Sequence, residues 1–295
     1  LKIAADHFPD CRIIATGSST LGASAKFKDT LTGRKRDLWL TPMTVGDLTD
    51  FKSEDLHHRL LHGGLPPFFL SERLPERDFQ EWIDAYWAKD IQELFRLQSR
   101  SSFQRFFELI LTQSGGIFEA SRFARPCEVS RTTISNYLAA LEATFVAHVI
   151  RPFNSHRPAE IVAAPKVYGF DTGFICYHKG WNELRAEEYG ILWEHFVLNE
   201  MQAALQTRKI NYWRDKRGHE VDFVLIKPRR SPIAIECKWS ADDFNPRSFH
   251  AFRRQYPSGD NYVVASDIKK MFSRKYQDIK VDFISLSDLI NRISR

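Results

Sequence analysis

The 295-residue sequence has no apolar run long enough to cross a bilayer, no C-x-x-C pair and no low-complexity tract. A spanning helix needs about 20 apolar residues in succession. The longest apolar stretches here are short and broken, as in 143–150, where Thr144 and His148 intervene. A helical membrane span is thereby excluded, and a cytoplasmic protein without a membrane partner is expected. The four cysteines, Cys11, Cys127, Cys176 and Cys237, are too scattered for a zinc ribbon or a thioredoxin-like motif. Isolated thiols of this kind fit a reducing compartment. The opening LKIAADHFPDCR interrupts its apolar residues with Asp6, His7, Asp10 and Arg12, which a signal peptide does not. Because the chain starts at Leu1, it is expected to be a processed product or the remaining part of a longer protein. Lysine and arginine number 42 against 37 acidic residues, and the net charge of +5 permits a nucleic-acid partner without selecting one. With 43% hydrophobic and 27% charged residues, the composition excludes wholesale disorder, a collagen-like repeat and a disulfide-dense scaffold. At roughly 150 residues per domain, the length points to about two domains.

Three blocks follow along the chain. In the first, Cys11–Ala15 and Leu38–Leu40 have the apolar character of short strands, and Gly63-Gly64-Leu65-Pro66-Pro67 is a strong turn signal. From Glu76 to Leu97 the residues Phe79, Trp82, Ile83, Tyr86, Ile91, Leu94 and Phe95 recur at helical spacing. In the second, Phe103, Phe106, Phe107, Ile110 and Leu111 make one helical face, better suited to a core than to base stacking, and 117–124 predicts a second, short helix. Ser130 caps a third helix through Ala143, with Ile134, Tyr137, Leu138 and Leu141 as its buried stripe. Strands are expected at 145–152 and 166–170. Helix, turn, helix and β-hairpin is the winged-helix order. The third block begins with a helix at 191–205. It continues with strands at 211–214, 219–226 and 232–239, a helix at 246–256, strands at 261–265 and 281–284, and a final helix capped by Ser287.

The residues that carry chemistry are Glu194, Asp222, Glu236 and Lys238. Side chains alternate along a strand, so Glu236 and Lys238 share a face while Ile235 and Cys237 point the other way. Asp222 in EVDFVL is expected to face opposite Val221 and Phe223. Both strands then offer a polar group on one side of the sheet, and the preceding helix brings Glu194 to the cluster. Carboxylate oxygens held together suit Mg²⁺, a hard cation that keeps several waters. A lysine beside such an ion orients water and offsets charge developing on a phosphate.

This Glu…Asp…Glu-x-Lys order on a helix followed by three strands resembles the PD-(D/E)XK nucleases, which include restriction endonucleases and archaeal Holliday junction resolvases. The resemblance covers roughly 190–265 and implies a core triad of Asp222, Glu236 and Lys238. Glu194 would be the acidic residue of the first helix and Glu200 a competing candidate for that place. Glu194, Asp222 and Glu236 would then be ligands of Mg²⁺. More widely, the chain resembles the later part of a family of prokaryotic AAA+ ATPases with a winged helix and a nuclease-like C-terminal domain. The residues that carry this are RIIATGSS (12–19), LTGRKRDLWLTPMT (31–44), HGGLPPF (62–68), WAKDIQELF (87–95), YGILWEHFVLNEM (189–201) and the EVDF and IECKWS strands. The G-x-x-x-x-G-K-[ST] phosphate loop and the acidic Walker B strand are absent from these residues, so this chain alone is not expected to bind ATP tightly. The resemblance implies that both lie upstream, with Thr16, Ser18 and Arg34 the surviving parts of a nucleotide site. Arg34 is read equally well as a solvated arginine beside a glycine turn.

In a helix-turn-helix the second helix enters the major groove and its early residues meet bases and phosphates. Here these are Arg131, Thr132, Thr133, Ser135 and Asn136, with Arg122 and Arg125 near the turn, so DNA is the expected partner. The winged helix read as a lid for protein contacts alone is the competing view. The basic turns 214–218 and 227–230 flank the carboxylates and are either solvated or close to a phosphate backbone. The expected fold is thus multi-domain α/β. It comprises the C-terminal part of an AAA+ domain (1–97), a winged helix (98–175) and a PD-(D/E)XK restriction-endonuclease-like domain (176–295). Three functions remain open: a Mg²⁺-dependent nuclease attached to an ATPase, an inactive DNA-binding or regulatory module, and a lid that drives homo-oligomer contacts.

Overall fold

The computed structural model describes residues 36–294, apart from 54, 73–74, 96–98, 154–163 and 227–230, together with His7, Cys11, Ile14, Thr16 and Gly17. The first helices are α1 (Val45–Asp50), α2 (Leu56–His62), α3 (Pro66–Phe69) and α4 (Glu76–Tyr86). A π-turn at Trp87–Ile91 leads α4 into α5 (Gln92–Phe95), and α6 (Arg100–Thr112) follows. Next come β1 (Gly116–Ile117), α7 (Ala120–Ala124), α8 (Arg131–Ala143), β2 (Ala147–Pro152), β3 (Lys166–Gly169) and α9 (Thr172–Lys179). The C-terminal part holds α10 (Ala186–Leu205), β4 (Asn211–Arg214), β5 (Glu220–Leu225) and β6 (Ile233–Lys238). It ends with a 3₁₀ turn at Ala241–Asp243, α11 (Arg247–Gln255), β7 (Asn261–Ala265), β8 (Phe272–Tyr276), β9 (Ile279–Ile284) and α12 (Leu286–Ile293). Among the described residues no helix is long and apolar enough to cross a membrane.

Local chemistry sets several of these starts. Thr44 and Asp47 form a reciprocal capping box on α1, and the Ser130 hydroxyl accepts from the Thr133 N–H at 3.1 Å to open α8. Asp171 opens α9 by accepting from Gly173 and Phe174, and its second oxygen takes the Gly64 N–H at 2.6 Å. The glycine-proline turn therefore wraps around a buried carboxylate. Gly63 sits at φ +86°, and a Cβ there would fall 2.0 Å from Asp171 Oδ1, so only glycine fits.

All nine described strands form one mixed sheet in the order β1-β3-β2-β4-β5-β6-β7-β9-β8. The β1–β3–β2 part is antiparallel, β4–β5–β6 is antiparallel, and β6–β7–β9 is parallel. The seam is the parallel pairing of β2 with β4, Arg151 opposite Asn211 and Pro152 opposite Tyr212. Alternation then sorts the core. Phe223, Ile235, Cys237 and Val264 pack with α10 and the N-terminal helices, while Val224, Ala234, Val263 and Ala265 pack with α11 on the other face. Phe103, Phe106 and Phe107 are core residues, and Phe106 meets Phe118, Phe123 and Tyr137.

Several sequence expectations need correction. Residues 38–40 form no strand: Leu38 and Leu40 are exposed, and the Trp39 backbone N–H and C=O bond to the Gln206 side-chain amide instead. The strand expected at Cys11–Ala15 lies largely outside the described residues. The short helix expected from 117 starts at Ala120, because Gly116 and Ile117 pair with β3. Ser285, not Ser287, caps the last helix, accepting from the Asp288 N–H at 3.1 Å. Helix α9 and strand β8 were not expected at all, and the expected domain boundary between residues 175 and 176 falls within α9.

Candidate functional site

The site forms where β5 and β6 part company. Their last registered pair is Phe223 with Ile235, and just beyond it Asp222 Oδ2 accepts the Cys237 N–H at 2.8 Å. A carboxylate has taken the place of a backbone carbonyl in the ladder. On its other side β5 carries an irregularity: Val224 pairs with Asn211, and Val221 with Trp213. One extra residue on β5 breaks the alternation, as in a β-bulge. Val221 and Phe223, expected on one face, therefore lie in different cores, and Asp222 sits at the step between them.

Glu236 and Lys238 share a face of β6 as expected, and Lys238 Nζ donates to Glu236 Oε1 at 3.0 Å. The other oxygen, Glu236 Oε2, is buried and has no hydrogen-bond partner among the described residues. Helix α10 brings Glu194 to the same cluster, and its charge acts on both Asp222 and Glu236. Glu194 is itself held. Lys166 Nζ from β3 donates to Glu194 Oε1 at 2.9 Å and to Glu220 Oε1 at 2.8 Å, and the Tyr168 hydroxyl donates to that same Glu194 oxygen. Lys166 is 4% exposed, so this ammonium lies inside the protein. Arg214 reaches Glu220 from the solvent side at 3.6 Å.

Electrostatics divide the carboxylates into two kinds. Burial disfavours the Glu194 charge, but the Lys166 ammonium and the Tyr168 hydroxyl outweigh it and hold the carboxyl below its usual range. Burial, with the Glu236 and Glu194 charges, pushes Asp222 well above the carboxylate range. Burial also raises Glu236, and the contact with Lys238 only partly offsets it. Lys238, opposed by burial, is raised by Asp222 and Glu236. Four carboxylates thus face two lysines and, at the rim, Arg214. The surplus negative charge falls on Asp222 and Glu236, which favours a proton or another cation there.

The fit to a metal is partial. Glu236 Oε2 is an acceptor without a donor, and Asp222 stands beside it. Glu194, the expected third ligand, is engaged by Lys166 and Tyr168. Among the described residues no three His, Cys, Asp or Glu side chains are arranged to hold a metal ion. A three-carboxylate Mg²⁺ site of Glu194, Asp222 and Glu236 does not fit this arrangement. Glu200, the competing helix residue, faces elsewhere and accepts the Val45 N–H at 2.7 Å.

The remaining expected residues lie apart from this cluster. On α8, Arg131, Thr132, Ser135 and Asn136 are exposed, and Thr133 is half-buried with its N–H on the Ser130 cap. Ser135 Oγ turns back to the Arg131 carbonyl. The nearby Arg122 pairs with Glu119. Thr16 is exposed and outside regular structure, whereas Ser18 and Arg34 lie outside the described residues. The 214–218 turn is built on Asp215, which accepts from the Arg217 and His219 N–H groups, and it leaves Lys216 and Arg217 exposed; 227–230 lies outside the described residues.

Sequence reasoning missed Lys166, Tyr168 and Glu220. Lys166 and Tyr168 stand two apart on one strand, and Glu220 stands two before Asp222. That spacing hints at shared faces, but nothing local says the two strands meet one helix.

Comparison with known proteins gives two adjoining matches. Residues 53–185 match a domain of unknown function, DUF8612, and residues 189–287 match a second, DUF4143. The first match ends just before α10 and the second begins in its first turn. The chain is 27% identical over 248 residues to the uncharacterized proteins Rv2008c of Mycobacterium tuberculosis and Mb2031c of Mycobacterium bovis. These alignments take in 81% of this chain and 55% of each relative, so the chain spans about half the length of the curated relatives it matches. Among solved structures it is similar to a chain of a half-complex from the tetradecameric assembly of Thermococcus gammatolerans McrB AAA+ hexamers with bound McrC. Identity there is 13% and the TM-score 0.28, with 64% of this chain and 51% of that chain covered; a likeness at that level carries no argument.

Proposed function

We propose that this chain is a DNA-binding module of an AAA+-type ATPase, with a winged-helix unit that docks on duplex DNA and a PD-(D/E)XK-like domain joined to it through one sheet. The observation that carries the reading is the leading face of α8. Its back is anchored by Ile134, Tyr137, Leu138 and Leu141, while Arg131, Thr132, Ser135 and Asn136 are exposed on a helix that follows a tight turn. That is the disposition of a recognition helix, and the β2–β3 hairpin behind it supports the same reading. The AAA+ association rests on the ordered sequence resemblance from residue 12 to the IECKWS strand. ATP binding through an upstream phosphate loop, with Thr16, Ser18 and Arg34 contributing, and homo-oligomer assembly are proposed for the whole protein.

Fluorescence anisotropy with labelled duplex DNA tests this. Binding should weaken linearly on a log–log plot against salt. Arg131→Glu should lower affinity at least tenfold, whereas Asp222→Asn should leave it unchanged. Binding that ignores salt, or an Arg131→Glu variant that binds like wild type, overturns the assignment.

A second reading, Mg²⁺-dependent phosphodiester hydrolysis, is favoured by the electrostatic coupling of Asp222, Glu236 and Lys238 and by the Glu236 oxygen that has no partner among the described residues. Against it stands the engagement of Glu194. Incubation with duplex, single-stranded and branched DNA plus Mg²⁺ or Mn²⁺ separates the two. Intact DNA in every lane supports the non-cleaving module, and cleavage abolished by Lys238→Ala establishes the hydrolase.

A further inference from the structure

The cluster contains a cation that belongs to the other half of the molecule. Lys166 comes from β3, in the hairpin beside α8, yet its ammonium lies between a carboxylate of α10 and one of β5. Tyr168, two residues on, supplies a second donor to Glu194 from the same strand. We infer that Lys166 is an internal latch that occupies the carboxylate cluster in place of a divalent cation, so that metal and lysine exclude one another. This rests on reading the cluster as a PD-(D/E)XK-type site.

Three observations support the latch. First, the Lys166 ammonium is buried, so its interactions with Glu194 and Glu220 are little screened by water. Second, Glu236 is 7% exposed and its Oε2 has no partner among the described residues. A buried carboxylate oxygen without a donor is costly, and it marks a place where a further cation would be stabilised. Third, Glu194, the third carboxylate such a cation would need, is taken up by Lys166 and Tyr168, which both donate to its Oε1. The latch residue shares a hairpin with the proposed DNA-reading unit, so displacement of β3 would open the cluster.

The test uses Mn²⁺ alone, without DNA, and therefore stands apart from the DNA-binding and cleavage assays. Mn²⁺ binding to the full chain is followed by electron paramagnetic resonance or calorimetry, with near-ultraviolet circular dichroism as the check of folding. Lys166→Met should bind one Mn²⁺ at least tenfold more tightly than wild type. Lys166→Arg, which keeps the charge, should not, and adding Glu236→Gln to Lys166→Met should remove the gain. Equal affinity of wild type and Lys166→Met overturns the latch, as does a gain that survives Glu236→Gln. If Lys166→Met does not fold, Glu220→Gln removes one of the two partners of the ammonium and tests the same competition. A smaller gain of about threefold supports the latch, and an unchanged affinity overturns it. Cleavage of DNA by wild type with Mg²⁺ would overturn the non-cleaving reading but leave this comparison of affinities intact.

Discussion

Glu200 lies on the same helix as Glu194, yet the two carboxylates face opposite fates. Glu194 is held ionised by a lysine, whereas among the described residues Glu200 accepts from the Val45 N–H alone, with Arg59 acting at a distance. Burial therefore dominates and pushes the Glu200 carboxyl up to about 7. A carboxyl raised on folding binds its proton more tightly in the native state than in the unfolded chain. Its contribution is complete below the ordinary carboxylate range and is lost as pH climbs through about 7. The shift corresponds to a loss on the order of 2–3 kcal/mol between pH 5 and pH 8. Glu200→Gln keeps an acceptor for Val45 but has no charge to bury. Urea unfolding of both proteins at the two pH values should show wild type losing more stability than the glutamine variant, and the variant being the more stable at pH 8. Parallel losses in the two proteins would show that Glu200 is not the group responsible.

At the scale of single elements, the two best-placed caps differ in what depends on them. Ser130 caps an exposed helix start, and Ser130→Ala should cost about 1 kcal/mol. Asp171 caps α9, accepts from Gly64 in the glycine-proline turn, and is the largest carboxylate contribution offsetting the burial of Arg59. Asp171→Ala should cost about 3–5 kcal/mol, because it strands a buried guanidinium as well as helix and turn N–H groups. Chemical denaturation of the two variants checks the ratio, and similar costs would mean that Asp171 is only a cap. The contrast also shows what local sequence can and cannot convey. Ser130 with the Ile134, Tyr137, Leu138 and Leu141 stripe announces α8, and alternation announces β6 and β7, since both signals are contained within one element. The turn at Gly63 and Gly64 is equally legible, but its partner Asp171 is more than a hundred residues away. Strand β8 escapes because FSRKY is an edge strand whose two core-facing aromatics, Phe272 and Tyr276, are separated by the exposed Ser273, Arg274 and Lys275. The residues Glu194, Asp222, Glu236 and Lys238 were visible by spacing alone. The β5 irregularity that sets Asp222 at a step was not, nor was the Lys166 contact, because each depends on which strands become neighbours.

On the scale of the whole molecule, the continuity of the sheet makes one object of two matched regions. The seam between them is narrow: two registered residue pairs join β2 to β4, and Pro152 contributes no backbone donor there. What strengthens it lies just outside the ladder. Phe153 donates its N–H to Tyr212 at 2.6 Å and sends its ring across into the second core, against Tyr256 and Phe252. Tyr212 in turn donates its hydroxyl to the Ala164 carbonyl, and Lys166 reaches from β3 to α10 and β5. Cooperative unfolding of the full chain should therefore depend on these few contacts. Calorimetry of wild type should give one transition whose van't Hoff and calorimetric enthalpies agree. Phe153→Ala empties a buried aromatic site at about 3–5 kcal/mol. Because Phe153 directly follows β2 while its neighbours belong to the C-terminal core, that loss should fall on the seam and split the endotherm in two. A single transition that merely moves to lower temperature would show that the halves are bound by more than the seam, with the contacts of α10 to the N-terminal helices as the remaining source of their cooperativity.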